Sequence, residues 1–218
     1  NHVLLGYAPN DITQADVYTK WVDAHNVLRT QATSLVVGHL LAASVHPQPM
    51  TIVAPAMVYR RDVRDRWHCG EPHQMDVWVV YPKGSAWDTP NALMDLVGHV
   101  ASVVKMPWRT EPTEHPYTLN GLEIQAQWEN TWLEVGECGH IAPSVLARLG
   151  WDAHAWTGLA LGVGLDRMVM VRKHLPDIRL LRDNEPRIVR QMCGLARWQH
   201  VSRMPAAWRD LSLVRNDI

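Results

Sequence analysis

The chain has 218 residues, 47% hydrophobic and 20% charged, the balance of a folded domain and not of a disordered segment. A formal charge of −1 excludes a uniformly basic chain that coats nucleic acid, although the charge is uneven: residues 145–218 carry 12 Arg and Lys against 7 Asp and Glu, residues 1–144 carry 9 against 15. There is no Phe, against 11 Trp and 5 Tyr, so the core must be built from aliphatic side chains and Trp.

In chain order, residues 15–26 have a helical tendency, and residues 34–44 read as a buried helix with Val36, Val37, Leu40 and Leu41 on one side. Residues 51–59 form a β-rich run that ends in a charged stretch, and residues 74–81 form a second strand. Thr89 before Pro90 signals the cap and first turn of a helix reaching about Lys105. Residues 121–128 and 132–137 read as strands joined at Glu129–Asn130, and residues 143–149 as a short helix closed by Gly150. An apolar strand over 156–163 runs through Gly162 and Gly164 into a helix over 165–174, with a last short helix over 184–192. Strands joined by short turns, interleaved with helices, predict an α+β fold, an antiparallel sheet with helices packed on it.

Three groups of residues carry chemistry. Val58-Tyr59-Arg60-Arg61-Asp62, then His68, then His73-Gln74-Met75-Asp76, is a strand–loop–strand hairpin that delivers arginines suited to phosphate. Gln74 and Asp76, two apart, share a face and offer an amide and a carboxylate to an ammonium group. Gly162-Val163-Gly164-Leu165-Asp166-Arg167 is a glycine turn into a helix start, where backbone approaches a ligand and Arg167 reaches an anion. The acidic set is Glu111, Glu123 and Glu134, carboxylates spaced along strands that are able to hold Mg²⁺ on a triphosphate. Alternation turns Glu134 away from Leu133 and Val135, and an inward carboxylate there needs an Arg or a metal as partner. Cys69, Cys138 and Cys193 form no C-x-x-C pair and, with His68 and His140, match no zinc spacing; they fit a reducing, cytoplasmic setting. No apolar run reaches the roughly 18 residues of a membrane span.

In this order the pieces resemble the catalytic domain of phenylalanyl-tRNA synthetase, a class II aminoacyl-tRNA synthetase, over residues 20–195. Leu28-Arg29-Thr30-Gln31-Ala32-Thr33-Ser34 is similar to the family's L-R-T-x-T-S segment, and Val58 to Gln74 to its motif 2. Trp132-Leu133-Glu134-Val135 through Cys138-Gly139 and Pro143 follows W-L-E-V-x-G-C-G-x-x-x-P, and Gly162-x-Gly164 with Arg167 follows motif 3. The resemblance implies a class II synthetase-like antiparallel sheet flanked by helices over residues 1–195. Over 196–218 it implies a linker and the opening strand, at 201–214, of a ferredoxin-like anticodon-binding domain, as in a catalytic domain cut from a longer protein. It also implies ATP-dependent activation of an amino acid, phenylalanine, as an aminoacyl-adenylate and transfer to tRNA, with ATP and Mg²⁺ as cofactors.

By the same resemblance Arg60 binds the α-phosphate, His68 the β- and γ-phosphates and Arg167 the γ-phosphate, with Gly164 and Pro72 completing the nucleotide site. Glu134 with Glu123 holds Mg²⁺. Thr33, Gln74 and Asp76 take the substrate ammonium, and Trp108, Arg109 and Glu111 lie in the segment that lines the side-chain pocket. Pro72 stands where the family stacks a Phe on adenine, Pro107-Trp108-Arg109 where it has F-P-F, Asp76 and Asp166 where it has Glu, and Gln31 where it has His. An unpaired Arg109 inside the pocket would suit a phenyl side chain poorly. Two other readings stay open: a paralogue that activates another acid for a non-tRNA acceptor, and a non-catalytic nucleotide- or tRNA-binding relic. The sequence does not fix the oligomeric state.

Overall fold

The computed structural model of the chain describes residues 2–202, 204, 207 and 209–212. Six strands, β1 (Met50–Met57), β2 (His73–Pro82), β3 (Trp108–Pro112), β4 (Thr118–Trp128), β5 (Thr131–Ile141) and β6 (Trp156–Gly164), form one antiparallel sheet in the order β1-β2-β6-β5-β4-β3. The helices are α1 (His2–Leu5), α2 (Thr33–Ala43), α3 (Ala92–Ala101), α4 (Pro143–Arg148), α5 (Leu165–Lys173) and α6 (Pro186–Met192). This is the α+β architecture that the pattern of elements predicts.

Each face of the sheet has its own core. Val77, Tyr81, Leu159, Leu161, Val163, Ile124, Ala126 and Trp128 pack under α3 and α5. Trp78, Val80, Ala160 and Ile141, the alternate residues of the same strands, pack under α2 and α4. In α2 the buried residues are Thr33, Val36, Val37 and Leu40, the spacing of one helical face. With Phe absent, indole rings take the large volumes: Trp78 and Trp151 are almost fully buried, and Trp151 donates to the Leu40 carbonyl at 2.9 Å.

Three local expectations are corrected. Residues 15–26 are not helical: a 3₁₀ turn at Ile12–Gln14 gives way to turns, and Trp21 bridges Val27. Asp23 explains this, because its carboxylate accepts the backbone N–H groups of His25 and Asn26 at 2.8 Å and so competes with helical bonding. α3 begins at Ala92, after Asn91, because Thr89 and Pro90 form a preceding turn, with Ala92 N–H on the Thr89 carbonyl. The third is β3, absent from the expected strands; it is an edge strand bounded by Pro107 and Pro112, paired on one side only. The strand expected at 201–214 falls partly on residues outside those described; those that are described there carry no regular secondary structure.

The segment after α6 is tied to α5 by one buried ammonium group. Lys173 Nζ donates to the carbonyls of Gln191, Gly194 and Ala196 at 2.8, 2.6 and 2.8 Å, which uses all three of its protons. Among the described residues no helix is long and apolar enough to cross a membrane.

Candidate active site

A cavity of about 500 Å³ opens where β2 begins and β6 ends, with β5 on the far side of β6, on the sheet face covered farther along by α2. The β1–β2 hairpin supplies one wall. Its pairing continues past the strand ends through Val58 N–H on Pro72 and Arg60 N–H on Gly70, both at 2.9 Å, so residues 61–69 are a loop on a firm stem. Arg60 Nε donates to the Thr30 carbonyl at 2.9 Å, and Tyr59 N–H to Arg29 at 2.7 Å, which joins the L-R-T segment to the hairpin. At the tip Asp65 accepts from the backbone of Trp67 and His68 and meets His68 Nδ1 at 2.9 Å. Those contacts, the Trp67 N–H first, hold the Asp65 carboxyl below its ordinary value. They turn His68 into the cavity with Nε2 as its remaining nitrogen.

β2 presents Gln74 and Asp76 to the cavity, as period-two alternation requires. Gln74 Oε1 accepts from Ala32 N–H at 3.3 Å, at the entrance to α2. Asp76 is 6% exposed. Burial pushes its carboxyl up to about 6, against the opposing hydrogen bonds of the Thr33 hydroxyl and the Trp78 indole, the latter at 3.3 Å. Gly162 lies across the strand pair from it, and a Cβ there would stand 3.3 Å from Asp76 Oδ1.

The opposite wall is β5 with the first turn of α5. Arg167 Nη1 donates to the Glu134 carbonyl at 3.1 Å and to its carboxylate at 3.2 Å, while Nε reaches the Trp67 carbonyl at 3.4 Å. The partner required by an inward Glu134 is therefore an arginine; burial raises the Glu134 carboxyl, and the Arg167 charge opposes that shift. Behind this wall the buried Asp166 accepts from Arg182 at 2.9 Å and from His73 N–H at 3.0 Å, so it fastens the start of β2 to α5.

Of the residues expected in the site, Thr33, Arg60, His68, Pro72, Gln74, Asp76, Glu134, Gly164 and Arg167 line this one cavity. Trp108, Arg109, Glu111 and Glu123 do not line it. Trp108 packs into the core on the α3 face, 3.9 Å from where a Cβ on Gly98 would be. Arg109 lies on the edge strand, 4.6 Å over the Trp132 ring, with Nε on Gln125 at 2.8 Å and Nη2 at 3.4 Å from Glu111. It is not the unpaired buried cation that would repel a phenyl ring. Glu123 accepts from Gln125 Nε2 at 2.6 Å and stands opposite Glu137 on β5.

Glu137, Tyr7, Tyr117, His115, Trp67 and Thr13 also line the cavity and are missing from the expected set. Glu137 is three residues from Glu134, and strict alternation would place them on opposite faces. A bulge at Val135, where Ile124 pairs Gly136 but Gln125 pairs Glu134, resets the register and brings both to the cavity. The sequence signal was Gly136, an isolated glycine inside a strand.

The carboxylates fit Mg²⁺ held chiefly by phosphate oxygens. Glu134 and Glu137 share the cavity, but among the described residues no three His, Cys, Asp or Glu groups converge into a ready metal cage.

Residues 9–192 match the family described as tRNA synthetases class II core domain (F). The chain is 34% identical over 178 residues to the protein named phenylalanine–tRNA ligase alpha subunit of Prochlorococcus marinus subsp. pastoris, covering 79% of this chain and 50% of that protein. It is 36% identical over 173 residues to the protein of the same name from Laribacter hongkongensis, covering 79% and 52%. The chain spans about half the length of the curated relatives it matches.

Proposed function

The chain belongs to the family of class II tRNA synthetase core domains of the F type, and on that footing we propose that its cavity binds ATP and phenylalanine, joins them as phenylalanyl-adenylate and passes the aminoacyl group to tRNA. The observation that carries this reading is the convergence, in one cavity, of Arg60, His68 and Arg167 with Thr33, Gln74 and Asp76. The first three, two from the β1–β2 hairpin and one from the first turn of α5, suit a polyphosphate; the last three suit an α-ammonium group.

A carboxylate oxygen of the amino acid attacks the α-phosphorus of ATP, the bond from that phosphorus to the oxygen bridging to the β-phosphate breaks, and pyrophosphate leaves. No protein nucleophile is needed; placement and charge stabilisation do the work. Arg60, oriented by Thr30, neutralises charge that grows on the α-phosphate. His68 and Arg167 draw the outgoing pyrophosphate away from the attacking side. Mg²⁺ bound through the phosphates, beside Glu134 with Glu137 in place of Glu123, would supply further neutralisation of their charge. Asp76 holds the ammonium group at the closed end of the cavity, so the carboxylate faces Arg60.

The relatives are named alpha subunits, so a second kind of subunit belongs to the proposal, beside tRNA. A reducing, cytoplasmic setting is part of the same reading. So is the division into a catalytic domain over 1–195 and the start of an anticodon-binding domain after it.

The natural full-length protein, in its own assembly, should show phenylalanine-dependent exchange of pyrophosphate into ATP. Arg167→Ala should lower the exchange rate about 100-fold or more, with thermal unfolding nearly unchanged. Arg167→Lys should not restore it, because a lysine lacks the planar fork that meets Glu134 and phosphate together. Exchange with another amino acid would reassign the substrate. ATP binding without exchange for any amino acid would leave a nucleotide-binding module.

A further inference from the structure

Resting on that reading, we infer that Arg182 is a positioning residue for the nucleotide: it touches no substrate, but ties the β1–β2 loop and the first turn of α5 into the geometry that receives the phosphates. Arg182 does not line the cavity. It ends a 3₁₀ turn over Ile178–Arg182 that follows α5.

The loop is supported from outside. The hairpin stem ends with Arg60 N–H on the Gly70 carbonyl, and residues 61–69 extend beyond it carrying His68. Three carbonyls on the loop and its returning limb are met by donors that follow β6 in the chain. Arg66 accepts from Ile178 N–H at 3.0 Å, Trp67 from Arg167 Nε at 3.4 Å and Glu71 from Arg182 Nη2 at 3.2 Å. Two of these donors belong to the turn after α5, which therefore braces the loop at two points. The turn is itself fixed. His174, at φ +55°, takes the chain out of α5, and Asp177 caps the turn by accepting from Arg179 N–H at 2.8 Å. Farther on, Lys173 holds the carbonyls after α6, and Trp198 N–H donates to the Lys173 carbonyl at 2.7 Å. Arg182 projects from a segment anchored on both sides.

One nitrogen makes the tie. Arg182 Nη2 stands 2.9 Å from Asp166 Oδ2 and 3.0 Å from His73 Nδ1, besides its contact with Glu71. Asp166 is 6% exposed, and it also accepts from His73 N–H at 3.0 Å, with the Cys69 thiol at 3.6 Å. Among the described residues Arg182 is the one Arg or Lys paired with it. A carboxylate so enclosed is costly without its cation. Asp166 immediately precedes Arg167, and His73 immediately follows Pro72, so the tie joins the neighbours of two residues of the nucleotide site. Without Arg182 the returning limb loses its link to α5, and the spacing between His68 and Arg167 is less firmly held. The amino-acid end has separate supports: Gln74 accepts from Ala32 N–H, and Asp76 from the Trp78 indole. The effect of Arg182 thus falls on one substrate.

The test compares Arg182→Met, Arg182→Lys and the double variant Arg182→Met with Asp166→Asn in the full-length protein. The readouts are exchange kinetics, equilibrium dialysis with Mg·ATP alone, and urea unfolding. Arg182→Met should raise the KM for ATP and the Kd for Mg·ATP about tenfold, with the KM for phenylalanine within about twofold of wild type. Arg182→Lys should recover most of that loss, because an ammonium group offers three protons where one guanidinium nitrogen now makes every contact. Arg182→Met also strands the Asp166 charge and should lower the urea midpoint. The double variant removes that charge and should regain the midpoint, while its Kd for Mg·ATP stays raised about fivefold or more. That separation marks positioning and not stability. A wild-type midpoint together with a wild-type Kd in the double variant overturns the inference, as does a KM for phenylalanine that rises in parallel with that for ATP. Should Arg182→Met fail to fold, the double variant decides alone. Wild-type protein that binds Mg·ATP but exchanges with no amino acid removes the proposed reaction, and the Kd values then decide the inference by themselves. Wild-type protein that does not bind Mg·ATP overturns both.

Discussion

Asp76 is the residue on which the physics of the site presses hardest. Its carboxyl is nearly enclosed, and burial lifts it from the ordinary 3.8 to about 6. A raised carboxyl means that the folded state binds the proton more tightly than the unfolded chain does. Its stabilising share is therefore full below about pH 4 and is lost as pH rises through about 6, on the order of 3 kcal/mol in all. Urea unfolding at pH 4.5 and 7.5 should show Asp76→Asn flattening that slope and gaining stability at the higher pH. Function should run the other way. If Asp76 holds the substrate's ammonium group as proposed, that group needs the carboxylate, so the KM for the amino acid should fall as pH rises through about 6 while the KM for ATP stays level. Asp76→Asn should remove this pH dependence and cost roughly 10- to 100-fold in kcat/KM for the amino acid. A KM that keeps its pH profile in Asp76→Asn would place the ammonium site elsewhere. Asp76 and Gln74 were legible in the sequence because β2 keeps strict alternation. Arg60 was legible because it ends a strand, and Arg167 because it opens a helix. Tyr7 and Tyr117 were not, since nothing local tells a loop which wall it will meet.

At the scale of elements the site depends on one irregular strand. The bulge in β5 places Glu134 and Glu137 on the same face, and beside it Gly136 lets β5 lie close against β6. A Cβ on Gly136 would strike the Gly162 carbonyl across the β5–β6 ladder and stand 2.7 Å from Val163 Cγ1. Gly136→Ala should therefore destabilise the fold by about 1–3 kcal/mol, read as a lowered urea midpoint, and should slow exchange further by shifting Glu134 and Glu137. An unchanged midpoint with normal exchange would show that the β5–β6 spacing is not set there. The regular elements were readable in advance: α2 from its apolar face, β2 and β6 from their apolar runs, and the β4–β5 hairpin from its two-residue turn at Glu129, where φ is +52°. The departures arose where side chains compete with the backbone, as at Asp23, or where proline leaves a strand short and at the edge, as in β3. Arg109 illustrates the cost of reading one residue without its neighbours. Its charge looked unpartnered in the sequence, but Gln125 and Trp132 reach it only through sheet pairing.

For the whole molecule the relevant asymmetry is charge. Residues 145–218 hold 12 of the 21 basic side chains, but the fold consumes part of that excess internally. Arg167 pairs with Glu134, Arg179 with Asp177, Arg182 with Asp166 and Arg187 with Glu185, while Lys173 is buried on three carbonyls. Arg190 and Arg197 are exposed, on α6 and just after it, and make no ion pair among the described residues. If the tRNA backbone crosses this end of the chain, those two arginines meet phosphate, and each phosphate contact releases counterions. The KM for tRNA should then rise roughly tenfold between 0.1 and 0.3 M salt, whereas phenylalanine-dependent exchange, which needs no contact with the tRNA backbone, should change little. Arg190→Glu with Arg197→Glu should raise the KM for tRNA at low salt and shallow its salt dependence, leaving exchange intact. An unaltered KM for tRNA in the double variant would assign the acceptor's electrostatic contacts to a partner subunit or to parts of the protein outside residues 1–218, and would leave the cavity's adenylate chemistry untouched.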